Sequence, residues 1–304
     1  MNGGFEVITA GIQATIQDLG RVGLADIGVS TAGALDEFAF HHANRLLSNE
    51  YGTNMLEIVF GGVKLKTKGS TTVVLTGAQV DATINNKKIE IWKTYKVNDG
   101  DIINLGFATS GARVYLAVKD GFNIVQEYGS CSVSIKEKIG GKPLHVKQFL
   151  PFTCKTLVDN RKLVNTYQPN YDKILKLRVV AGYQWDMFEE IERKKFFSAS
   201  YKVTGQNDRM GYRLSGEKIT STCKGIVSEP IAYGSVQIPA HGEPIVLLKE
   251  RQTVGGYPKI GAVVPVDCFR LAQAKQDSQI RFELISLDVA RDINIEFNKF
   301  FKEI

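Results

Sequence analysis

Long apolar runs are missing from this 304-residue chain. No stretch is extended enough to cross a bilayer, so no membrane association is expected. The opening MNGGFEVITAGIQ has no charged region leading into an apolar one, and no secretory signal is expected. Cys131, Cys154, Cys223 and Cys268 stand far apart and make no CxxC pair, which removes the usual zinc pattern and leaves no metal ligands to name. Together these absences predict a reduced, cytoplasmic protein with free thiols. Histidine is scarce: His41 and His42 are adjacent, His145 and His241 stand alone, and none is taken as catalytic, because a lone histidine is more often a structural donor.

Nucleotide and cofactor signatures are missing too. The chain contains no GxxxxGKS/T, no GxGxxG after a strand, no HExxH and no GxSxG, so ATP is not expected in a P-loop here. No lysine adjoins a methionine, which removes a Met-Lys-Met biotin attachment site and any covalently held biotin. The net charge of +6 and pI near 9.0 are spread over small groups, such as Lys64, Lys66 and Lys68, or Lys136, Lys138 and Lys142. Without a long basic block or an aromatic-plus-basic pattern, nucleic-acid binding is not expected. An anionic small molecule or an acidic partner protein suits that charge equally well.

What remains is punctuated like a β-protein, with short branched or aromatic runs between Gly, Asp, Asn and Pro. Thr71–Thr76, Val80–Ile84, Ala112–Val118, Leu177–Ala181 and Ile280–Ile285 read as strands. Helices are few: Leu35–Ser48, about Gln184–Lys195, and about Asp267–Ala274 with Asp267 as an N-cap, followed by a C-terminal tail with no assigned structure. The polar, aperiodic stretch 159–173 reads as a linker. It separates a β domain over 1–158 from another over 174–304.

Three loops carry chemistry. Gln17, Asp18 and Arg21, followed by the Gly33 loop entering a helix at Asp36, make a plausible anion site, since N–H groups at a helix start favour negative charge. Local Asp18–Arg21 pairing is the plainer alternative. In Asn207–Arg213, Asp208 suits a general base, Tyr212 a proton carrier and Arg209 or Arg213 a carboxylate clamp. A surface hairpin held by one Asp–Arg pair would use the same residues. In Arg251–Lys259, Gly255 and Gly256 let a ligand approach the backbone, while Arg251, Gln252, Tyr257 and Lys259 supply charge and polarity beyond what a turn needs. A glycine hairpin with solvated cations is the alternative there.

These loops occur within longer stretches: TIQDLGRVGLADIGVSTAGALDEFAFHHANRLLSN (Thr15 to Asn49), LTGAQVDATINNKKI (Leu75 to Ile89), NDRMGYRLSG (Asn207 to Gly216), SEPIAYGSVQIPAHGEPIVLL (Ser228 to Leu248) and RQTVGGYPKIGAVV (Arg251 to Val264). In this order they resemble the biotin-dependent carboxyltransferase-like family. That family includes the C subunit of bacterial ATP-dependent 5-oxoprolinase, the so-called allophanate hydrolase subunit 2 and part of the carboxyltransferase region of urea carboxylase. The resemblance implies a mainly β fold with two cyclophilin-like β-barrel domains and a few short helices. It also implies sister subunits B and A as partners, a small-molecule substrate, and ATP used by the complex. Opening of 5-oxo-L-proline to L-glutamate is the leading activity it implies. Carboxyl transfer to urea or a similar amide, from carboxybiotin on another chain, is the first alternative. A non-catalytic regulatory role toward the sister B chain is the second.

Overall fold

The short branched runs do become strands, and the computed structural model that describes residues 2–171, 174–223 and 225–302 is mainly β. The chain forms two compact units, Met1–Arg21 with Ala32–Tyr171, and Val22–Thr31 with Asp172–Ile304.

The first unit is built on one nine-stranded sheet. Its main path runs Gln13–Gln17, Met55–Val59, Ile102–Val118, Val63–Lys68, Asn2–Ala10 and Phe149–Thr153. Thr71–Ile84 pairs along Ile102–Val118 and carries the short strands Lys87–Ile89 and Thr94–Val97. The runs expected as separate strands at Thr71–Thr76 and Val80–Ile84 are therefore one strand. Register shifts after Gly77, Gln79 and Val80 hide its continuity, because each bulge breaks the alternation of side chains. Alternation is intact in Val63–Lys68, where Val63, Leu65 and Thr67 face inward and the three lysines outward. The core under the sheet is rich in aromatics, including Phe5 edge-on to Phe152 at 5.0 Å.

Helix α1, Glu37–Leu47, packs on Thr71–Ile84 and Ile102–Val118. Asp36 starts it by accepting the Ala39 N–H at 3.1 Å, and Ser48 ends it in the left-handed conformation. The polar stretch from 159 onward belongs to this unit as far as Tyr171. It is tied to the unit by its backbone and by one side chain: Arg161 N–H donates to Thr94 at 2.7 Å, Leu163 N–H to the Trp92 carbonyl at 2.9 Å, and Tyr171 Oη to Asp36 at 2.8 Å. Asp172 and Lys173, the rest of the expected linker, lie outside the described residues.

The second unit contains a closed seven-stranded barrel, in the order Leu175–Ala181, Lys259–Val263, Ser235–Gln237, Ile245–Leu247, Gly211–Ser215, Tyr201–Asn207 and Gln279–Leu284. Closure removes the sheet edges. A two-stranded ribbon pairs Glu229–Pro230 with Val254–Gly255. The helix expected over Gln184–Lys195 is a 3-10 turn, Trp185–Met187, followed by α2, Glu190–Ser198. Phe196 of α2 stacks on Phe282 of the barrel at 4.4 Å.

Helix α3 is Pro265–Leu271, entered through Pro at its first position rather than through an Asp267 cap. Asp267 is instead buried inside the helix and takes both arms of Arg178, from Nε at 2.9 Å and Nη2 at 2.8 Å. The tail left without assigned structure forms α4, Leu287–Lys302, with Phe297 against Phe269 of α3 at 5.2 Å.

Candidate active site

The barrel converts the third loop into a cluster. Lys259 opens the strand Lys259–Val263, paired across from Gln237. Its side chain is buried and its Nζ lies 2.5 Å from Oε1 of Glu229. The same oxygen accepts the Gln184 Nε2 donor at 2.9 Å, and the side-chain Oε1 of Gln184 accepts the Lys259 backbone N–H at 3.4 Å. Lys259 therefore has its ammonium paired and its peptide fixed by one small polar group. The Lys259 ammonium beside it, with the Gln184 amide, holds the Glu229 carboxyl below the usual carboxylate range.

Glu229 is placed there by the two-stranded ribbon, in which it lies opposite Gly255. A Cβ on Gly255 would meet Ile231 Cδ1 at 2.6 Å and Gln237 Nε2 at 3.0 Å; one on Gly256 would meet the Ile226 carbonyl at 3.0 Å. Both glycines thus let main chain close over the cluster, which any larger residue would push apart. Gln252 and Tyr257 are exposed on the same loop. Arg251 is mostly occupied with holding it: Nε donates to the Ile231 carbonyl at 2.9 Å and Nη1 to that of Leu248 at 3.3 Å, with the guanidinium 5.9 Å from the Tyr233 ring.

The second loop is structural for the most part. The Asp208 carboxylate accepts the N–H groups of Met210 at 2.7 Å and Gly211 at 3.2 Å, a turn-closing role that competes with use as a base. Arg209 pairs with Glu250, both buried, so its charge is spent inside the protein and not on a substrate carboxylate. Tyr212 is the clearest correction. It is buried in the barrel and its Oη donates to the Ala272 carbonyl at 3.1 Å, which withdraws it as a proton carrier. It sits on the inward-facing side of a strand, a direction that its neighbours in a loop-like motif disguise.

The first loop divides. Gln17 is fully buried, donating to the Val133 carbonyl at 3.0 Å and accepting from Gly33 N–H at 3.1 Å. Asp18 accepts from Gly20 N–H, both the Ser130 and Ser132 hydroxyls, and Cys131 N–H, all within 2.6–2.8 Å. Asp36 caps α1 and accepts from Tyr171. These three residues are scaffolding. Arg21 is not paired with Asp18; its Nε donates to the Glu127 carbonyl at 3.1 Å.

Glu229, Gln184 and Gln237 were not singled out from the sequence. Glu229 had a signal, a carboxylate inside the SEPIAYG stretch, but its partner lies in a different stretch. Among the described residues no three His, Cys, Asp or Glu side chains are grouped as metal ligands, and no helix is long and apolar enough to cross a membrane.

Comparison with known proteins places the fold and this loop order. Residues 27–284 match the family described as "Carboxyltransferase domain, subdomain A and B", and the chain belongs to that family. It is 31% identical over 299 residues to the C subunit of 5-oxoprolinase from Haemophilus influenzae, covering 94% of this chain and 92% of that protein. It is 30% identical over 303 residues to the C subunit of 5-oxoprolinase from Escherichia coli, covering 98% and 97%. The crystal structure of the K. lactis urea amidolyase superposes with a TM-score of 0.90 at 25% identity, over 99% of this chain but only 20% of that one.

Proposed function

We propose that this chain is the C subunit of an ATP-dependent 5-oxoprolinase, acting with sister subunits A and B to open 5-oxo-L-proline to L-glutamate. The observation that carries this reading is likeness along both whole lengths: the two 5-oxoprolinase relatives are matched over more than nine-tenths of each chain, whereas the urea amidolyase is matched over a fifth.

The geometry supplies a chemical part for it. A lactam is a poor electrophile, so the charge that develops on its oxygen as water attacks must be stabilised. A preorganised donor at that oxygen is worth about 3 kcal/mol. Lys259 fits that role, its ammonium paired with Glu229 and its backbone N–H held by the Gln184 side chain. Gln252 and Tyr257 contact the substrate from the exposed side of the loop. ATP is used by the complex; this chain carries neither a P-loop sequence nor a Met-Lys-Met biotin attachment site.

The family description favours one second reading. Carboxyl transfer from carboxybiotin on another chain, to urea or a similar amide, would use Lys259 to stabilise the biotin ureido oxyanion. The test is 5-oxoproline-dependent ADP release by this chain alone, then co-purified with its A and B partners. Release only in the three-part mixture supports the oxoprolinase. A stable mixture without release, but with turnover dependent on a biotinylated carrier, replaces it with carboxyl transfer.

A further inference from the structure

Arg21 lies just beyond the turn that Asp18 closes, yet Asp18 is satisfied by four other donors. The Arg21 side chain is only 2% exposed, and its two terminal nitrogens, Nη1 and Nη2, are sealed from solvent without a hydrogen-bond acceptor among the described residues. Leaving two donors of a buried guanidinium without acceptors is strongly unfavourable. The nearest obvious partner is turned elsewhere. Glu127 offers Arg21 its carbonyl, but its carboxylate accepts the Gly140 N–H at 2.8 Å.

Gly140 is the second half of the observation. A Cβ there would sit 2.7 Å from Arg21 Nη2 and 2.0 Å from the Ser132 carbonyl, so bare main chain lies directly against the guanidinium. Gly140 and Gly141 both have positive φ, +77° and +107°, and they end a tight excursion closed by the Ser134–Ile139 bridge. Three lysines, Lys136, Lys138 and Lys142, decorate this strap. A strap carrying Lys136, Glu137, Lys138 and Lys142 thus covers a buried cation with two open donors.

We propose that Arg21 is the seat of an oxyanion site: a small carboxylate or phosphate-class anion enters when the Gly140–Gly141 strap lifts, and is gripped bidentately by Nη1 and Nη2. The planar fork of arginine matches two oxygens of one such group, and a lysine would not. This inference stands on first-unit residues alone and does not depend on the activity proposed above.

The experiment measures the melting temperature of the purified full chain in acetate, bicarbonate or phosphate, each against chloride at matched ionic strength, and repeats it with Arg21→Met. At least one oxyanion is expected to raise the wild-type melting temperature saturably, with apparent affinity reduced at least tenfold in the variant. Saturation by acetate or bicarbonate assigns the carboxylate class, and saturation by phosphate alone the phosphoryl class. No effect of any of the three on the wild type overturns the proposal, as does an equal effect on wild type and variant. Should Arg21→Met not fold, titration of wild type labelled with ¹⁵N-arginine decides: one guanidinium signal shifting with one-to-one saturation supports the site, and none shifting overturns it.

Discussion

Glu229 and Lys259 are joined at 2.5 Å from opposite ends of a loop system, one on a two-stranded ribbon and one on the first residue of a barrel strand. The pair therefore links the loop part of the candidate site to its barrel part. Lys259→Met should lower turnover of the reconstituted complex by about a hundredfold or more, the usual cost of losing one preorganised donor. Glu229→Gln should cost roughly tenfold, because the ammonium survives but loses the charge that orients it. ADP release by complexes of verified composition would check both. Wild-type turnover in the Lys259→Met complex would remove this residue from the chemistry.

Gly255 separates a packing effect from a chemical one. A side chain at this position would strike Ile231 Cδ1 and Gln237 Nε2, both ends of flexible side chains, so the fold should yield and the cluster should shift. Gly255→Val is expected to lower turnover more than tenfold while shifting the melting temperature by only a few degrees. A variant that keeps full turnover would show that Gln237 and the ribbon do not position the site.

Much of the fold was legible because side-chain alternation and helix caps act over a few residues. The Asp36 cap and the apolar face of α1 announce that helix, and Val63–Lys68 alternates without a break. Bulges are the opposite case: those after Gly77 split one strand into two apparent ones. Helix α4 was missed because its apolar positions are diluted by Asp, Asn and Arg, even though Ser286 caps it by accepting the Val289 N–H at 3.3 Å and Phe297 and Phe301 fall on one face. In the site, residue types were legible and partners were not. Arg209 looked free to clamp a substrate because Glu250 is 41 residues away, and Gln184 is 45 residues from the Glu229 it holds. Only barrel closure brings such residues together. Loop composition alone also could not show that Tyr212 turns inward to the Ala272 carbonyl.

The buried Asp267 carboxylate anchors α3 to the barrel strand Leu175–Ala181, pairing with the Arg178 guanidinium and also accepting the Arg178 backbone N–H at 2.8 Å. The hydrogen bonds that Arg178 donates to Asp267 raise its pKa further. Removing the carboxylate leaves a partly buried guanidinium and a buried N–H together, so Asp267→Ala should destabilise the chain by about 3–5 kcal/mol. Urea unfolding measures this directly. A loss below about 1 kcal/mol would mean that water replaces the carboxylate and that the helix does not depend on it.

His42 provides the pH dependence. It is buried on α1, edge-on to Phe38 at 4.5 Å and to Trp92 at 6.1 Å, and its pKa is pushed down to about 4, first by burial and then by the charges of Arg45 and His41. The unfolded chain, with an ordinary histidine pKa near 6.5, takes up a proton that the folded chain refuses. The stabilising contribution is therefore complete above about pH 6.5 and is lost as the pH falls toward about 4. Between about pH 7.5 and about pH 4.5 this one group should remove roughly 2–3 kcal/mol of stability. Urea midpoints of wild type and His42→Phe across that range isolate it from the carboxylates, which titrate in both proteins. The variant should show a flatter acid limb by that amount. Parallel limbs would mean that His42 is protonated in the folded chain as readily as in the unfolded one, and that acid lability must come from elsewhere in the protein.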